Sequence, residues 1–489
     1  MTARQPLSPA SATIDHEALL GAVSKQWDDE IVPQLIDYVR VPAKSPSFDH
    51  DWAKRGFLDA VVKQAEAWVR QQNVPGLTID IVRLDDRTPV LFFDIPATGG
   101  LDAERSVLLY GHLDKQPEMT GWRDGLGPWI PAYEDGKLYG RGGADDGYAV
   151  FAALSAIMGL DAQGIARPRC VGLIETCEES GSYDLPAYLD ALSPKMGDVQ
   201  LVVALDSGCG NYDQLWVTTS LRGLVSGTLN VRVLTEGVHS GDAGGVVPSS
   251  FRVARQLLDR IDDSRTGVVK PAVFNCEIPP ERVGQAQQAA NILGESMWQR
   301  FPWAGCCEGP HTFVQPTTKD PVELILNRTW RAALAVTGAD GLPAIETAGN
   351  VQRPFTALKL SLRIPPLVDG AQALDALKSV LEQDPPNAAD VTFTGDAATG
   401  WNAPATAPWL TTVLDDASQT YFGLPAAYMG EGGTIPFMGM LGVKFPHAQM
   451  LVTGVLGPKS NAHGPNEFLH VPYAKKLTAA VAVVLSAVR

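Results

Sequence analysis

The chain has 489 residues, too many for one hydrophobic core, so two or three domains are expected. It is 45% hydrophobic and 19% charged, the balance of an ordinary globular protein, and its net charge of −16 argues against nucleic acid or an anionic membrane as partner. No apolar run approaches the roughly 20 residues a membrane helix needs, the N-terminus lacks an apolar signal core, and six cysteines in so long a chain make no disulfide framework; a cytoplasmic protein with reduced thiols is expected.

Residues 1–13 read as disordered. Two helical patterns follow between Asp15 and about Arg70, EIVPQLIDYV and GFLDAVVKQAEAWV. LTIDIVRL and PVLFFDIP read as strands, and SVLLYGHLD as a nearly continuous apolar strand. A helix is predicted from about Gly147, then a strand at RCVGLIET, a helix near DLPAYLDAL and a strand at QLVVALDS. Apolar strands alternating with helices indicate an α/β domain with a mostly parallel sheet flanked by helices.

The style changes after about Leu221. LVSGTLNVRVL and ALKLSLRIPP alternate like half-exposed strands, and PSSFRVARQLLDRI and AQALDALKSVLEQ read as helices, the first opening at Pro248. This predicts an inserted α+β domain over 222–397, with 14–221 and 398–489 forming a discontinuous first domain. Residues 262–320 are irregular apart from a helix near ERVGQAQQAANIL, and from about Trp401 the parallel-sheet style returns.

Five residues carry the chemistry: His112 in YGHLD, Asp145 in GRGGADDG, Glu179 in TCEESGS, Asp206 in VVALDSG and His463 in NAHGPNE. Each lies at the end of a strand-like run or in the loop after one, where an α/β sheet presents its binding crevice. Asp114 follows His112 by two residues and is placed to accept the ring N–H, as a carboxylate behind a metal-bound histidine does. Glu178 stands beside Glu179, and two carboxylates facing one pocket repel unless a cation neutralises them. Singly, each motif has a bland alternative: a surface His-x-Asp, a helix cap at Asp145 or Asp146, a solvated Glu-Glu loop. Jointly they predict two divalent ions, with one bridging carboxylate plus one His and one carboxylate for each. Mixed N/O ligation without thiolate suits Zn²⁺ first, and also Mn²⁺ or Co²⁺.

With GHLDKQP, YGRGGADDG, ETCEESGS, LDSG, GVHSG, GEGGTIP and AHGPNE in order from about residue 30 to the end, the chain resembles the di-zinc metallopeptidases that include aminoacylase, glutamate-releasing carboxypeptidase and carnosinase. It is most similar to the carnosinase-like dipeptidase branch. The resemblance implies a di-zinc exopeptidase-like catalytic domain and a lid and dimerisation domain, hence a homodimer acting on small peptides. It implies that Asp145 bridges two ions, that His112 and Asp206 complete one and Glu179 and His463 the other. Glu178 would be the general base for a two-metal-activated water, and Asp114 would orient His112. It also implies a cis peptide between Asp145 and Asp146.

In the inserted domain, His239 in GVHSG matches a histidine that holds the tetrahedral oxyanion in the partner's site, and Arg363 matches the arginine that binds a substrate carboxylate. Asn350 aligns with a position that is usually a small hydroxyl residue. Glu431, Gly432, Gly433 and Thr434 match a loop near the substrate's C-terminal side, and hinges are expected near residues 220 and 397. Two positions depart from the branch: GPNE follows His463 in place of a serine and a second polar residue, and Gly147 stands where lysine is usual. The function expected is cleavage of dipeptides or short peptides. A deacylase or amidohydrolase acting on N-acyl or N-carbamoyl amino acids would use the same residues. A non-catalytic binding module would have lost a ligand or Glu178, and a glycosidase would not need the two histidines.

Overall fold

The computed structural model describes residues 13–305 and 314–489. The expected N-terminal disorder and the adjacent Cys306 and Cys307 lie outside the described residues. Cys170, Cys177, Cys209 and Cys276 are free thiols. Among the described residues, no helix is long and apolar enough to cross a membrane.

The chain forms two compact units. The first takes the residues up to Thr218, Ala403–Ala427 and Met440–Arg489; the second takes Thr219–Asn402 and Tyr428–Gly439. The segment Tyr428–Gly439, expected with the first domain, thus packs with the second unit and carries Glu431, Gly432 and Thr434 into it.

The first unit is built on a six-stranded sheet of β1 (Thr78–Val82), β2 (Val90–Ile95), β3 (Arg105–His112), β4 (Arg169–Glu175), β5 (Asp198–Ala204) and β6 (Gln449–Val452), in the order β1-β2-β4-β3-β5-β6. β4, β3, β5 and β6 run parallel; β1 and β2 add an antiparallel edge. The central strands are buried on both faces, which is why VLLYGH and VGLIE read as unbroken apolar runs. The helix Ala149–Ala162 is buried almost all round, beneath Phe57–Gln71, His16–Gln26 and Val471–Ala487. Register sets the site: His112 pairs with Glu175 and Tyr110 with Ala204, so His112, the 178–179 turn and Asp206 leave adjacent strands at one level.

The second unit holds a four-stranded antiparallel sheet in the order Ala333–Asp340, Phe355–Ile364, Gly223–Arg232, Asp390–Ala398. Alternate residues of its strands face helices Ser250–Leu258 and Gly370–Glu382, so that Val225, Leu229, Leu360 and Phe393 pack on Val253, Leu257, Leu377 and Leu381. The sequence showed only two of these strands, because Ala333–Asp340 and Asp390–Ala398 are edges with weak apolar alternation. The helix expected to open at Pro248 begins at Ser250, where the Ser249 hydroxyl caps the Arg252 amide.

The turn Gly143–Gly147 explains one departure from the branch. A Cβ on Gly147 would lie 2.2 Å from Tyr38 Cε1 and 2.8 Å from the Gly142 carbonyl oxygen, so no lysine fits there. An ammonium reaches the same neighbourhood from Lys115, buried with its Nζ donating to the carbonyls of Tyr38 (2.7 Å) and Val41 (2.8 Å) at the end of helix Val32–Arg40. The Lys115 stem also fills the space where a Cβ on Gly142 would stand. Gly147→Ala should destabilise the fold by about 1–3 kcal/mol through overpacking against Tyr38. A denaturant midpoint equal to that of the parent chain would remove this explanation.

Candidate metal centre

Three elements end at one point. His112 is the last residue of β3, Glu178 and Glu179 form the short turn after β4, and Asp206 follows β5 by two residues. Asp145 lies in the glycine turn before the buried helix, and the Asp145–Asp146 peptide is cis. His463 comes from the loop after β6 and adopts the left-handed conformation, φ 63°.

The five residues form two groups that share Asp145. His112, Asp145 and Asp206 make one; Asp145, Glu179 and His463 make the other; within each, the ligand atoms all lie within 4.8 Å of one another. His112 Nε2 stands 3.5 Å from Asp145 Oδ1 and 3.7 Å from Asp206 Oδ2. His463 Nε2 stands 2.9 Å from Asp145 Oδ2 and 3.3 Å from Glu179 Oε2. Asp145 thus turns one oxygen to each imidazole.

The donor set fits divalent ions on a structural observation. Among the described residues, His112 Nε2 is fully buried and has no hydrogen-bond partner, yet it faces three carboxylates. Such a polar atom, buried without a partner, is costly unless something binds it.

Electrostatics point the same way. Burial pushes Glu178 well above the ordinary carboxylate range, with the Asp206 and Glu179 charges adding to it. Burial and the Asp145 charge raise Glu179 to about 8, and burial raises Asp206 to about 7. Asp145 is held low, because the nearby imidazoles of His112 and His463 outweigh its burial. Burial would lower both histidines, but the facing carboxylates of Asp114, Asp145 and Asp206 raise His112 well above its usual value, and Asp145 and Glu179 carry His463 to about 9.

Asp146, for which the sequence offered a helix cap, does not cap. Its carboxylate is fully buried and has no hydrogen-bond partner among the described residues, and burial and the Asp206 charge drive it toward the neutral acid. The Asp114 carboxylate was expected to accept the His112 ring N–H, but its backbone carbonyl stands nearer to the ring. The ring Nδ1 lies 3.1 Å from the Asp114 carbonyl oxygen and 3.5 Å from its carboxylate. That carboxylate accepts the amides of Glu178 (3.1 Å) and Glu179 (3.0 Å), fixing the turn that carries both glutamates.

Three supports had no signal in the sequence. Gln116 donates to Glu179 Oε2 at 2.6 Å. Arg141 and Glu467 form a fully buried ion pair; Arg141 also donates to the His463 carbonyl at 3.0 Å, and Glu467 accepts the Gly142 amide at 2.8 Å. The pair ties the loop of His463 to the turn of Asp145 and gives GPNE its structural role.

The remaining expected residues lie in the second unit. Arg363 Nη1 donates to Thr434 Oγ1 at 2.8 Å, and Glu431 and Gly432 sit in the same loop. His239 is exposed; its Nδ1 accepts the Gly241 amide, and the following residue, Ser240, donates its amide to the Asn350 carbonyl.

A mostly parallel sheet carrying such a centre at its strand ends suits a metal-dependent hydrolase. Residues 108–489 match the model of Peptidase family M20/M25/M40. The chain belongs to that family and is a peptidase, a hydrolase of peptide bonds. It is 26% identical over 439 residues to a cysteinylglycine-S-conjugate dipeptidase of Corynebacterium striatum, covering 84% of this chain and 88% of that one. It is 26% identical over 355 residues to a Beta-Ala-His dipeptidase of Rattus norvegicus, covering 68% and 66%. In structure it is similar to the dipeptidase Dug1p of Saccharomyces cerevisiae, with TM-score 0.74 and 18% identity over 98% of this chain and 99% of the other. Human carnosine dipeptidase 1 gives TM-score 0.71 and 20% identity over 96% and 99%.

Asp114→Ala should weaken divalent-metal binding by roughly 10- to 100-fold, because the turn of Glu178 and Glu179 loses the carboxylate that holds both its amides and His112 loses the charge behind its ring. Competition against a chromophoric chelator measures it, and unchanged affinity would reject the supporting role of this carboxylate.

Proposed function

We propose that the chain is a metal-dependent exopeptidase that cleaves dipeptides or short peptides with two divalent ions. The observation that carries this reading is the position of Glu178. It belongs to neither ligand group, yet its Oε2 lies 3.9 Å from His112 Nε2, at the mouth of the first group. His112, Asp145 and Asp206 hold one ion, and Asp145, Glu179 and His463 the other, with Zn²⁺ preferred and Mn²⁺ or Co²⁺ also suited to these donors. When bound, the ions supply water acidified toward neutrality and a polarised substrate carbonyl.

Glu178 takes the proton from the attacking water and returns it to the leaving amine. Cations in the two groups would bring Glu178 back to the ionised form a base requires. His239 donates to the oxyanion of the tetrahedral intermediate, and Arg363 takes the substrate's C-terminal carboxylate. The surface position of His239 supports its acting in the site of a second copy of the chain, in a homodimer formed through the second unit. The free thiols of Cys170, Cys177, Cys209 and Cys276 support a cytoplasmic setting.

Stripped protein reloaded with Zn²⁺, Mn²⁺ or Co²⁺ and offered dipeptides beside N-acyl and N-carbamoyl amino acids tests the reading. Turnover confined to the acyl or carbamoyl compounds would replace it with the deacylase. Glu178→Gln should lower kcat by about 10²- to 10⁴-fold with both ions retained, as read by metal analysis; near-parental kcat would exclude the base. Arg363→Ala should raise KM for a free dipeptide by roughly tenfold or more and leave a C-terminally amidated one unaffected. Equal losses on both would exclude carboxylate binding.

A further inference from the structure

The turn that carries Glu178 and Glu179 closes on itself and then meets a carboxylate that takes no part in either ligand group. Its exit residue, Ser182, donates its amide to the Cys177 carbonyl at 2.9 Å, and Gly181 donates to the Glu178 carbonyl at 2.7 Å. Ser182 is fully buried and adopts the left-handed conformation, φ 52°. A residue with a Cβ stays in that region only where its surroundings hold it there. The Ser182 hydroxyl donates to Glu175 Oε1 at 2.9 Å. Asp114 fixes the amides of Glu178 and Glu179, and Ser45 meets the Ser180 hydroxyl; among the described residues, neither is bonded to Ser182.

Glu175 is the last residue of β4 and is 1% exposed. Its carbonyl accepts the Leu113 amide at 2.9 Å, next to His112. Its Oε1 accepts a second hydroxyl, that of Tyr110, at 2.5 Å. Tyr110 stands two residues before His112 on β3, so both side chains leave the same face of the strand. One oxygen thus joins the strand of His112, the end of β4 and the exit of the glutamate turn. Oε2 of the same carboxylate is buried and has no hydrogen-bond partner among the described residues. Burial pushes Glu175 up to about 8 against the pull of both hydroxyls. An acid in such a place costs stability; what it adds is the link between two strands and the turn.

We propose that Glu175 is a positioning residue for the hydrolysis: it fixes the exit of the turn so that Glu178 faces the first ligand group. The inference rests on the reading of Glu178 as the base. The path is short. Without Glu175 the Ser182 hydroxyl loses its acceptor, and Ser182 and Gly181 are the residues bonded to the Cys177 and Glu178 carbonyls, so the backbone that aims Glu178 moves with them. Glu179 depends less on this link, because Asp114 holds its amide and Gln116 its carboxylate. A displacement of about 1 Å at a reacting group can lower a rate by roughly 100-fold. The effect therefore falls on the chemical step rather than on metal or substrate binding.

Steady-state kinetics of the metal-loaded full chain on the dipeptide it cleaves fastest, with metal analysis alongside, test the role. Glu175→Ala should lower kcat by roughly 10- to 100-fold, with KM unchanged and both ions retained. Ser182→Ala, which removes one hydroxyl and little volume, should lower kcat in the same direction. Glu175→Gln, whose amide oxygen still accepts both hydroxyls, should recover most of the loss. In a Glu178→Gln background Glu175→Ala should have little further effect, because a residue that acts by aiming Glu178 has no base left to aim. A loss of equal size in both backgrounds would overturn the proposal, and so would a Gln variant as slow as the Ala one. Parental kcat in Ser182→Ala would overturn it even if Glu175→Ala failed to fold. Near-parental kcat in Glu178→Gln itself rejects the base reading and the route through Glu178 with it. A slow Glu178→Gln beside an unimpaired Glu175→Ala rejects the positioning role and leaves the base in place.

Discussion

One carboxylate, Asp145, faces two imidazoles with its two oxygens, and the first unit is arranged around that constraint. Asp114, Asp145, Asp206, Glu178 and Glu179 crowd the same few ångströms as His112 and His463. In a medium from which water is largely excluded, such a set stays ionised only when positive charge is supplied among them. Divalent ions held by these residues would supply it.

Holding repelling groups at fixed positions takes rigid support. Parallel strands of matched register deliver His112, the glutamate turn and Asp206 to one level. The Asp114 carboxylate clamps both glutamate amides, and the buried pair of Arg141 and Glu467 fastens the turn of Asp145 to the loop of His463. Beneath the same turn, Gly147 leaves room for Tyr38, and Lys115 caps the neighbouring helix. Breaking a buried pair leaves an uncompensated charge, so these supports are as constrained as the ligands they hold.

The second unit answers a different problem. Its sheet and two helices make an ordinary small core, and its arginines Arg328 and Arg363 meet Glu431 and Thr434 of one loop. Glu431 belongs by motif to the substrate loop, yet it is engaged by Arg328. Family membership fixes the reaction class. The dipeptidases of similar fold share only 18–20% of their residues with this chain.

The sequence by itself determined the α/β class, the strand ends and the identities of His112, Asp145, Glu179, Asp206 and His463, because buried parallel strands are apolar runs and the polar residues that close them stand out. It left the edge strands Ala333–Asp340 and Asp390–Ala398 unseen, since half-exposed edges lack that contrast. Only the tertiary structure decided that Asp146 is a buried acid and no cap, and that Arg141 meets Glu467 and Arg328 meets Glu431. Partners separated by more than 100 positions carry no local pattern. Their meeting follows from strand register and packing, which a linear reading cannot measure.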